Sequence, residues 1–325
     1  MPEPYTAFDA GPRLLRAFVT VAEELHFTRA AARLYLAQQA LSRDIRRLER
    51  EVGAELFSRT TRAVALTAEG ERLLPYARRV LAAYEEFAAA CAGESRPLLV
   101  DVGGPVSTGR RVLTEARRTA PRLELVARYR SGLTGAAERI LAGRLDVSFG
   151  RIAGLPADVR AGLEHLPVRL ERMTVLLPDD HPLAARDRVP LDALRGETLY
   201  AGAGNPDTAE WTGLAERLFA GRGIAVAEPF PGIEGEEEFV RVIRKRGWAV
   251  LASEEFIEVS GMVLRPLVDP VPLSPVAMVW RRGLRHPGLD ALRHAARDLT
   301  GARGWLERPV DAWLPEADAA LMKTP

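Results

Sequence analysis

The chain has 325 residues, 47% hydrophobic and 27% charged, a length for about two domains and a composition that excludes collagen-like, disordered and disulfide-scaffold classes. Its 45 basic and 44 acidic residues leave a net charge of +1, so bulk charge does not mark a nucleic-acid binder. With no apolar run of about 18 residues, no basic-then-apolar leader, a lone Cys91 and five scattered histidines, the expectation is a cytoplasmic protein with no membrane span, disulfide, metal site or cofactor.

In chain order, Leu14, Leu15, Phe18, Val21, Ala22 and Leu25 recur at helical spacing and predict a first amphipathic helix over 13–25. Thr28 is a natural N-cap for a short helix over 29–34, followed by a turn at 35–37. A third helix over 38–52 carries Leu41, Ile45, Leu48 and Val52 on one face and ends at Gly53. Gln39, Arg43, Arg46 and Arg50 step along its other face, with Ser42 beside them. Gln and Arg present paired donors and acceptors that match adenine and guanine edges in the major groove. A solvated helix face would look the same in isolation. The short helix, tight turn and following helix with polar, basic N-terminal residues give the helix-turn-helix arrangement. Between Arg13 and Thr67 ten arginines stand against six acids.

Residues 54–58 and 63–67 then predict a β-hairpin with a basic tip of Arg59, Thr60, Thr61 and Arg62, a wing suited to the electronegative minor groove. Thr67 can cap a long helix reaching Cys91, kinked at Pro75. In it Leu74, Ala77, Leu81, Tyr84, Ala88 and Cys91 alternate steps of three and four, a seam for a second chain or for packing within the same domain.

These residues resemble a known family. The stretches Phe27 to Leu34, Gln38 to Glu49 and Leu56 to Gly70 look like the DNA-binding half of LysR-type transcriptional regulators. The resemblance implies a winged helix-turn-helix with Gln38, Gln39, Ser42 and Arg43 at base edges or nearby phosphates, and Arg59, Thr60 and Arg62 in the wing; Thr28 and Arg46 complete the candidate DNA-binding set. It also implies homodimers through the linker helix, homotetramers through the C-terminal domains, and RNA polymerase as a partner. Ala37 and Gln39 stand where the family commonly has Ser or Thr and Pro.

Beyond Arg96-Pro97 strands and helices alternate: strands over 98–103, 123–130 and 146–150 with helices over 107–119 and 132–142, then an extended section over 168–177 and further units to a helix over 287–299. Such alternation predicts parallel βαβ units in an α/β fold. The order resembles the same family's two-lobed, Rossmann-like (periplasmic-binding-protein-like) effector domain, with loose matches at 141–146, 178–183 and 247–250. The expected organisation is a winged helix-turn-helix over 1–67, a linker helix over 68–95, an effector domain over 96–300 and an unexplained tail over 301–325.

Ligands in open α/β sheets bind beyond the carboxyl ends of strands, where helix N-termini favour anions. That selects Ser107, Thr108, Arg130, Ser131, Arg151 and Asn205 as effector-binding candidates, and a small, more anionic than cationic metabolite as the effector. Ser107 is equally suited to capping, and Arg130 and Arg151 to solvent exposure. The acids Glu234, Glu236, Glu237 and Glu238 open a helix favourably without a metal. The sequence therefore reads as a ligand-responsive DNA-binding regulator that recognises inverted repeats. The alternative is an α/β binding protein or enzyme whose N-terminal helices serve only oligomerisation, although no Gly-x-Ser-x-Gly and no phosphate-binding Gly-rich loop with Lys is present.

Overall fold

The computed structural model describes residues 10–59, 64–92, 96–104, 106–130, 132–233 and 235–323. They form two compact units, one built from the chain up to Arg96 together with Leu141–Gly143 and the other from the rest of the chain from Pro97 onward.

The first unit begins with α1 (Pro12–Glu24), α2 (Phe27–Arg33) and α3 (Gln38–Val52). Leu14, Leu15, Phe18 and Val21 of α1 close on Leu41, Ile45 and Leu48 of α3 in one buried cluster, each side chain adding about 1.5 to 3 kcal/mol of apolar burial. Gly53 ends α3 at φ 77°, a left-handed conformation that glycine adopts without Cβ strain. A hairpin of β1 (Phe57–Arg59) and β2 (Val64–Leu66) follows, antiparallel and in register from Phe57 with Leu66 to Arg59 with Val64. Phe57 packs edge-on to Phe18 at 5.6 Å and to Phe27 at 6.1 Å. The Glu49 carboxylate accepts the Leu56 and Phe57 amides, which pins the hairpin to the end of α3.

Helix α4 (Ala68–Ala92) is capped as expected, Thr67 Oγ1 accepting the Gly70 amide at 3.0 Å, and it contains Pro75. Its predicted seam divides, part of it taking the within-domain alternative. Ala77 and Leu81 are buried in the unit's own core, and Leu74 packs against it. Tyr84 and Ala88 of the seam are exposed, and Tyr84 continues an apolar row with Tyr76, Val80 and Phe87. The reason is that α1 takes up one stripe of α4, leaving the adjacent stripe in water.

The second unit has two lobes. In the first, β3 (Leu98–Asp101), α5 (Thr108–Thr119), β4 (Leu125–Arg128), α6 (Leu133–Leu141) and β5 (Val147–Gly150) form the expected βαβ units, β3 lying parallel to both β4 and β5. After a short α7 (Ala157–Ala161), the strand β6 (Leu163–Pro178) runs 16 residues and joins the lobes. The second lobe adds β7 (Val189–Pro190), β8 (Thr198–Tyr200), α8 (Ala209–Phe219), β9 (Ala225–Val226), α9 (Glu236–Arg246), β10 (Ala249–Ser253) and β11 (Met262–Val268). β12 (Val271–Arg281) returns the chain to the first lobe, where α10 (Pro287–Arg303) packs on α5.

β6 pairs antiparallel with β12 over Leu163 to Arg172, and with β10 and β11 over Met173 to Pro178. The sheet is therefore mixed, order β4-β3-β5-β12-β6-β10-β8-β9, rather than purely parallel. Each lobe has its own core, around Val100, Leu113, Met278 and Leu292 in the first and Met173, Leu199, Leu214 and Leu251 in the second. The tail is folded: β13 (Ala312–Trp313) pairs with Val271 and Pro272 of β12, and α11 (Glu316–Leu321) follows.

Candidate nucleic-acid interface and effector cleft

The recognition-type helix α3 is positioned by its buried stripe and by Arg13, whose guanidinium makes a two-pronged contact with Asp44 at 2.9 and 3.1 Å. That holds one face of α3 on α1 and leaves Gln38, Gln39, Arg43 and Arg46 exposed on the other. Ser42 is half-buried, and Arg50 folds back so that its Nε donates to the Arg46 carbonyl. Ala37 offers no side-chain cap, so the first turn of α3 presents backbone N–H groups and a positive dipole end beside the polar row.

Helix α2 starts earlier than expected and is capped by a different residue. His26, not Thr28, is the N-cap: its Nδ1 accepts the amides of Thr28 at 3.2 Å and Arg29 at 3.4 Å. A neutral imidazole nitrogen is a good acceptor, but histidine is outside the usual set of capping residues, so composition gave no signal for it. Thr28 Oγ1 is thereby free to donate to Gln38 Oε1 at 3.2 Å, linking α2 to the first residue of α3. In the wing, Arg59 ends β1, while Thr60 and Arg62 lie outside the described residues.

In the second unit a cavity of about 470 Å³ opens between the lobes. The first lobe contributes Gly103, Gly104, Val106 and Tyr129, and the second contributes Tyr200, Asn205, Thr208, Trp211, Ile233, Glu236, Phe239, Phe256 and Ile257 among others. Tyr200 stacks on Trp248 at 5.1 Å, and its burial pushes the phenol pKa above the ordinary value, keeping the hydroxyl neutral. Among the described residues lining this cleft, Glu236 is the one charged side chain.

Of the sequence candidates, Asn205 lines the cleft, with its Oδ1 accepting the Asp207 amide at 3.0 Å. Ser107 is the cap of α5, accepting the Arg110 amide at 3.1 Å and donating to the Val102 carbonyl at 2.6 Å. Thr108 is buried and donates to Glu171 Oε1 at 2.6 Å. Arg130 is exposed, and its amide donates to Asp101. Ser131 lies outside the described residues.

Arg151 departs furthest from expectation. It is buried, with Nε and Nη2 on the two oxygens of Asp318 at 2.9 and 2.8 Å and Nη1 on the Glu210 carbonyl at 3.2 Å. Asp318 belongs to α11, so the tail supplies the partner; nothing in the local sequence signals a contact across 167 positions. The aromatic lining was not among the sequence candidates, all of which are polar. The position of Tyr200 at the carboxyl end of a strand ahead of Gly202 was the available signal.

Two buried carboxylates and one arginine cluster complete the picture. Asp101 Oδ1 accepts the amides of Gly103 and Arg130, both at 3.0 Å, and burial raises its pKa against those bonds. Glu210, from the first turn of α8, reaches across to the first lobe and accepts the amides of Leu133 at 2.6 Å and Thr134 at 3.1 Å, and the Thr134 hydroxyl at 2.6 Å. Near β6, Arg169 ties to Glu255 at 2.7 Å and Glu254 at 2.8 Å, and Arg111 of α5 ties to Glu255 at 2.7 Å.

Two family models match the chain: a bacterial regulatory helix-turn-helix protein of the LysR family over residues 12–71, and a LysR substrate-binding domain over residues 101–301. Among curated relatives, an uncharacterized HTH-type transcriptional regulator, YnfL of Escherichia coli strain K12, is 37% identical over 192 residues, 57% of this chain and 63% of that one. A probable hydrogen peroxide-inducible genes activator of Mycobacterium avium is 39% identical over 190 residues, 55% of this chain and 58% of that one. The chain thus spans about three-fifths of the length of these two relatives. The HTH-type transcriptional regulator TtuA of Agrobacterium vitis is 30% identical over 292 residues, 86% of this chain and 93% of that one. Among solved structures, full-length CbnR complexed with its target DNA aligns with TM-score 0.64 at 22% identity over 89% of this chain and 99% of that one. At that identity the likeness is one of fold.

Proposed function

This chain belongs to the LysR family of bacterial regulatory proteins, and from that premise we propose that it is a cytoplasmic, non-enzymatic transcriptional regulator that reads duplex DNA with α3. The observation that carries the reading is the exposed row Gln38, Gln39, Arg43 and Arg46 on a helix whose opposite face is locked into a core by Leu41, Ile45 and Leu48. Amide and guanidinium groups in such a row suit base edges, and the uncapped first turn suits a phosphate. Arg59, Thr60 and Arg62 supply the wing, and Thr28 orients Gln38.

Two reading heads are joined through α4, along Tyr76, Val80, Tyr84 and Phe87. A two-fold dimer recognises an inverted repeat. Dimers pair further into tetramers through the second units, RNA polymerase is the downstream partner, and a small molecule in the interlobe cleft shifts the balance between oligomer arrangements. The domain limits we propose are those read from the sequence, 1–67, 68–95 and 96–300, with the tail assigned to the effector unit because Asp318 pairs with Arg151.

The test is to crosslink the protein to DNA in the native cell and sequence what co-purifies. A recurrent dyad-symmetric motif is the expected result. Enrichment with no shared motif, or none above an uncrosslinked control, contradicts the reading.

A further inference from the structure

The fold offers four places for an effector's negative charge, and the chain has filled each with its own groups. Asp101 takes the amides of Gly103 and Arg130 in the loops after β3 and β4, while the Gly104 amide goes to the Val102 carbonyl. The N-terminus of α5 is capped by Ser107, whose hydroxyl proton is committed to the Val102 carbonyl. The N-terminus of α6 holds the Glu210 carboxylate, on two amides and a hydroxyl. Arg151 is held two-pronged by Asp318. Two further helices open on the cleft: α8, whose Thr208 and Trp211 line it, has Glu210 in its first turn with the Glu210 amide donating to the Thr134 hydroxyl, and α9 carries Glu236, Glu237 and Glu238 in its first turn. A carboxylate or phosphate entering here would lose its hydration, meet acids already seated on the available amides, and find no free cation on the described lining.

What the cleft does offer is apolar contact. Tyr200, Trp211, Phe239 and Phe256 bring four aromatic rings to the second-lobe wall. Across from them Val106 and Tyr129 are large apolar residues left 43% and 56% exposed. Tyr129 is itself steadied, its hydroxyl accepting from Arg110 at 2.8 Å, and that neighbouring guanidinium disfavours a cationic ligand there.

We infer that the effector is an uncharged aromatic compound, held between Val106 and Tyr129 on one lobe and the Tyr200, Trp211 and Phe239 wall on the other. The inference rests on the proposed ligand-responsive reading and specifies the ligand class for that site.

The test uses the full chain with two dyes that share a ring system and differ by one charge, N-phenylnaphthylamine, which is neutral, and anilinonaphthalene sulfonate. The neutral dye should bind about tenfold or more tightly than the sulfonate, the penalty of an unpaired charge in an apolar site. Tryptophol should displace it at concentrations about tenfold below those needed for indoleacetate or tryptamine, which carry a charge on the same ring. Phe239→Ala and Trp211→Ala should each weaken the neutral dye. Glu236→Lys, which reverses the charge on the lining, should raise the affinity of the sulfonate relative to that of the neutral dye.

Equal or tighter binding of the sulfonate, displacement by either ion at the same or lower concentration, no binding of the neutral dye, or binding that ignores both cleft substitutions would each overturn the inference. Operator affinity measured in parallel separates the two levels. If an anion both binds the cleft and shifts operator affinity, the ligand class is wrong and the regulator reading stands. If tryptophol and the neutral dye bind as expected while no cleft ligand shifts operator affinity, the ligand-responsive reading fails and the chemistry of the cleft stands.

Discussion

Replacing Asp318 by alanine isolates one side of a pair in which Arg151 is 6% exposed and Asp318 1%. Removing one partner of a buried ion pair leaves the other charge dry and unmatched, a loss of about 3 to 5 kcal/mol. Arg151 would keep one bond, from Nη1 to the Glu210 carbonyl at 3.2 Å, which places the expected loss toward the lower end. The double variant Arg151→Met with Asp318→Leu removes both charges and should be less destabilised than either single change, because no buried charge remains. The assay is urea unfolding of the full chain followed by tryptophan fluorescence. All five tryptophans, at 211, 248, 280, 305 and 313, lie in the second unit, so the signal reports that unit alone. A loss below about 1 kcal/mol for Asp318→Ala, within the range of an exposed pair, would refute the claim that the tail is an integral strut of the effector unit.

Three further expectations follow from the same geometry. His26→Ala should destabilise the first unit by about 0.5 to 2 kcal/mol, the cost of losing an N-cap, measured by circular dichroism during urea unfolding; an unchanged midpoint would show that the His26 bonds contribute nothing. Phe87→Glu should turn dimers into monomers with the fold intact, whereas Leu81→Ala should cost about 2 to 5 kcal/mol of folding stability; light scattering and unfolding together decide, and the reverse pattern would restore Leu81 to the interface. Glu171 is buried, and burial raises its carboxyl pKa despite the Thr108 hydrogen bond. Its protonated form is thus favoured by folding, so its contribution is fully present below the ordinary glutamate pKa and is lost as pH rises toward the raised folded value. Glu171→Gln cannot titrate, and its stability relative to wild type should therefore increase with pH across that window; a flat difference would contradict the assignment.

Much of the reading half was legible because it depends on local rules. The limits of α3 follow from the Leu41, Ile45 and Leu48 stripe and from Gly53, and Thr67 caps α4 as its chemistry suggests. His26 was not legible, since its capping role depends on the rotamer that points Nδ1 at two amides. The seam of α4 was legible only as two alternatives, because heptad spacing does not say which stripe a helix in the same chain has already claimed. In the effector unit the βαβ order was readable, but β6 and β12 as crossing strands were not, their pairing changing partner at Arg172 and Met173. Asn205 was found from the rule that loops at strand ends line clefts. The anion expectation rested on the same rule, which places helix N-termini correctly and is silent on whether Asp101 or Glu210 already occupies them.

The central claim, that the exposed row of α3 reads base sequence, is tested most directly by titrating wild type and Arg43→Ala against the crosslink-derived operator and against a duplex with one half-site scrambled, at several salt concentrations. Loss of a bidentate base contact should narrow the gap between the two duplexes by about 1 to 3 kcal/mol. Loss of a phosphate contact would instead weaken both duplexes equally and flatten the salt dependence by about one charge. The account predicts the first pattern, and equal weakening of both duplexes with the discrimination intact would contradict it.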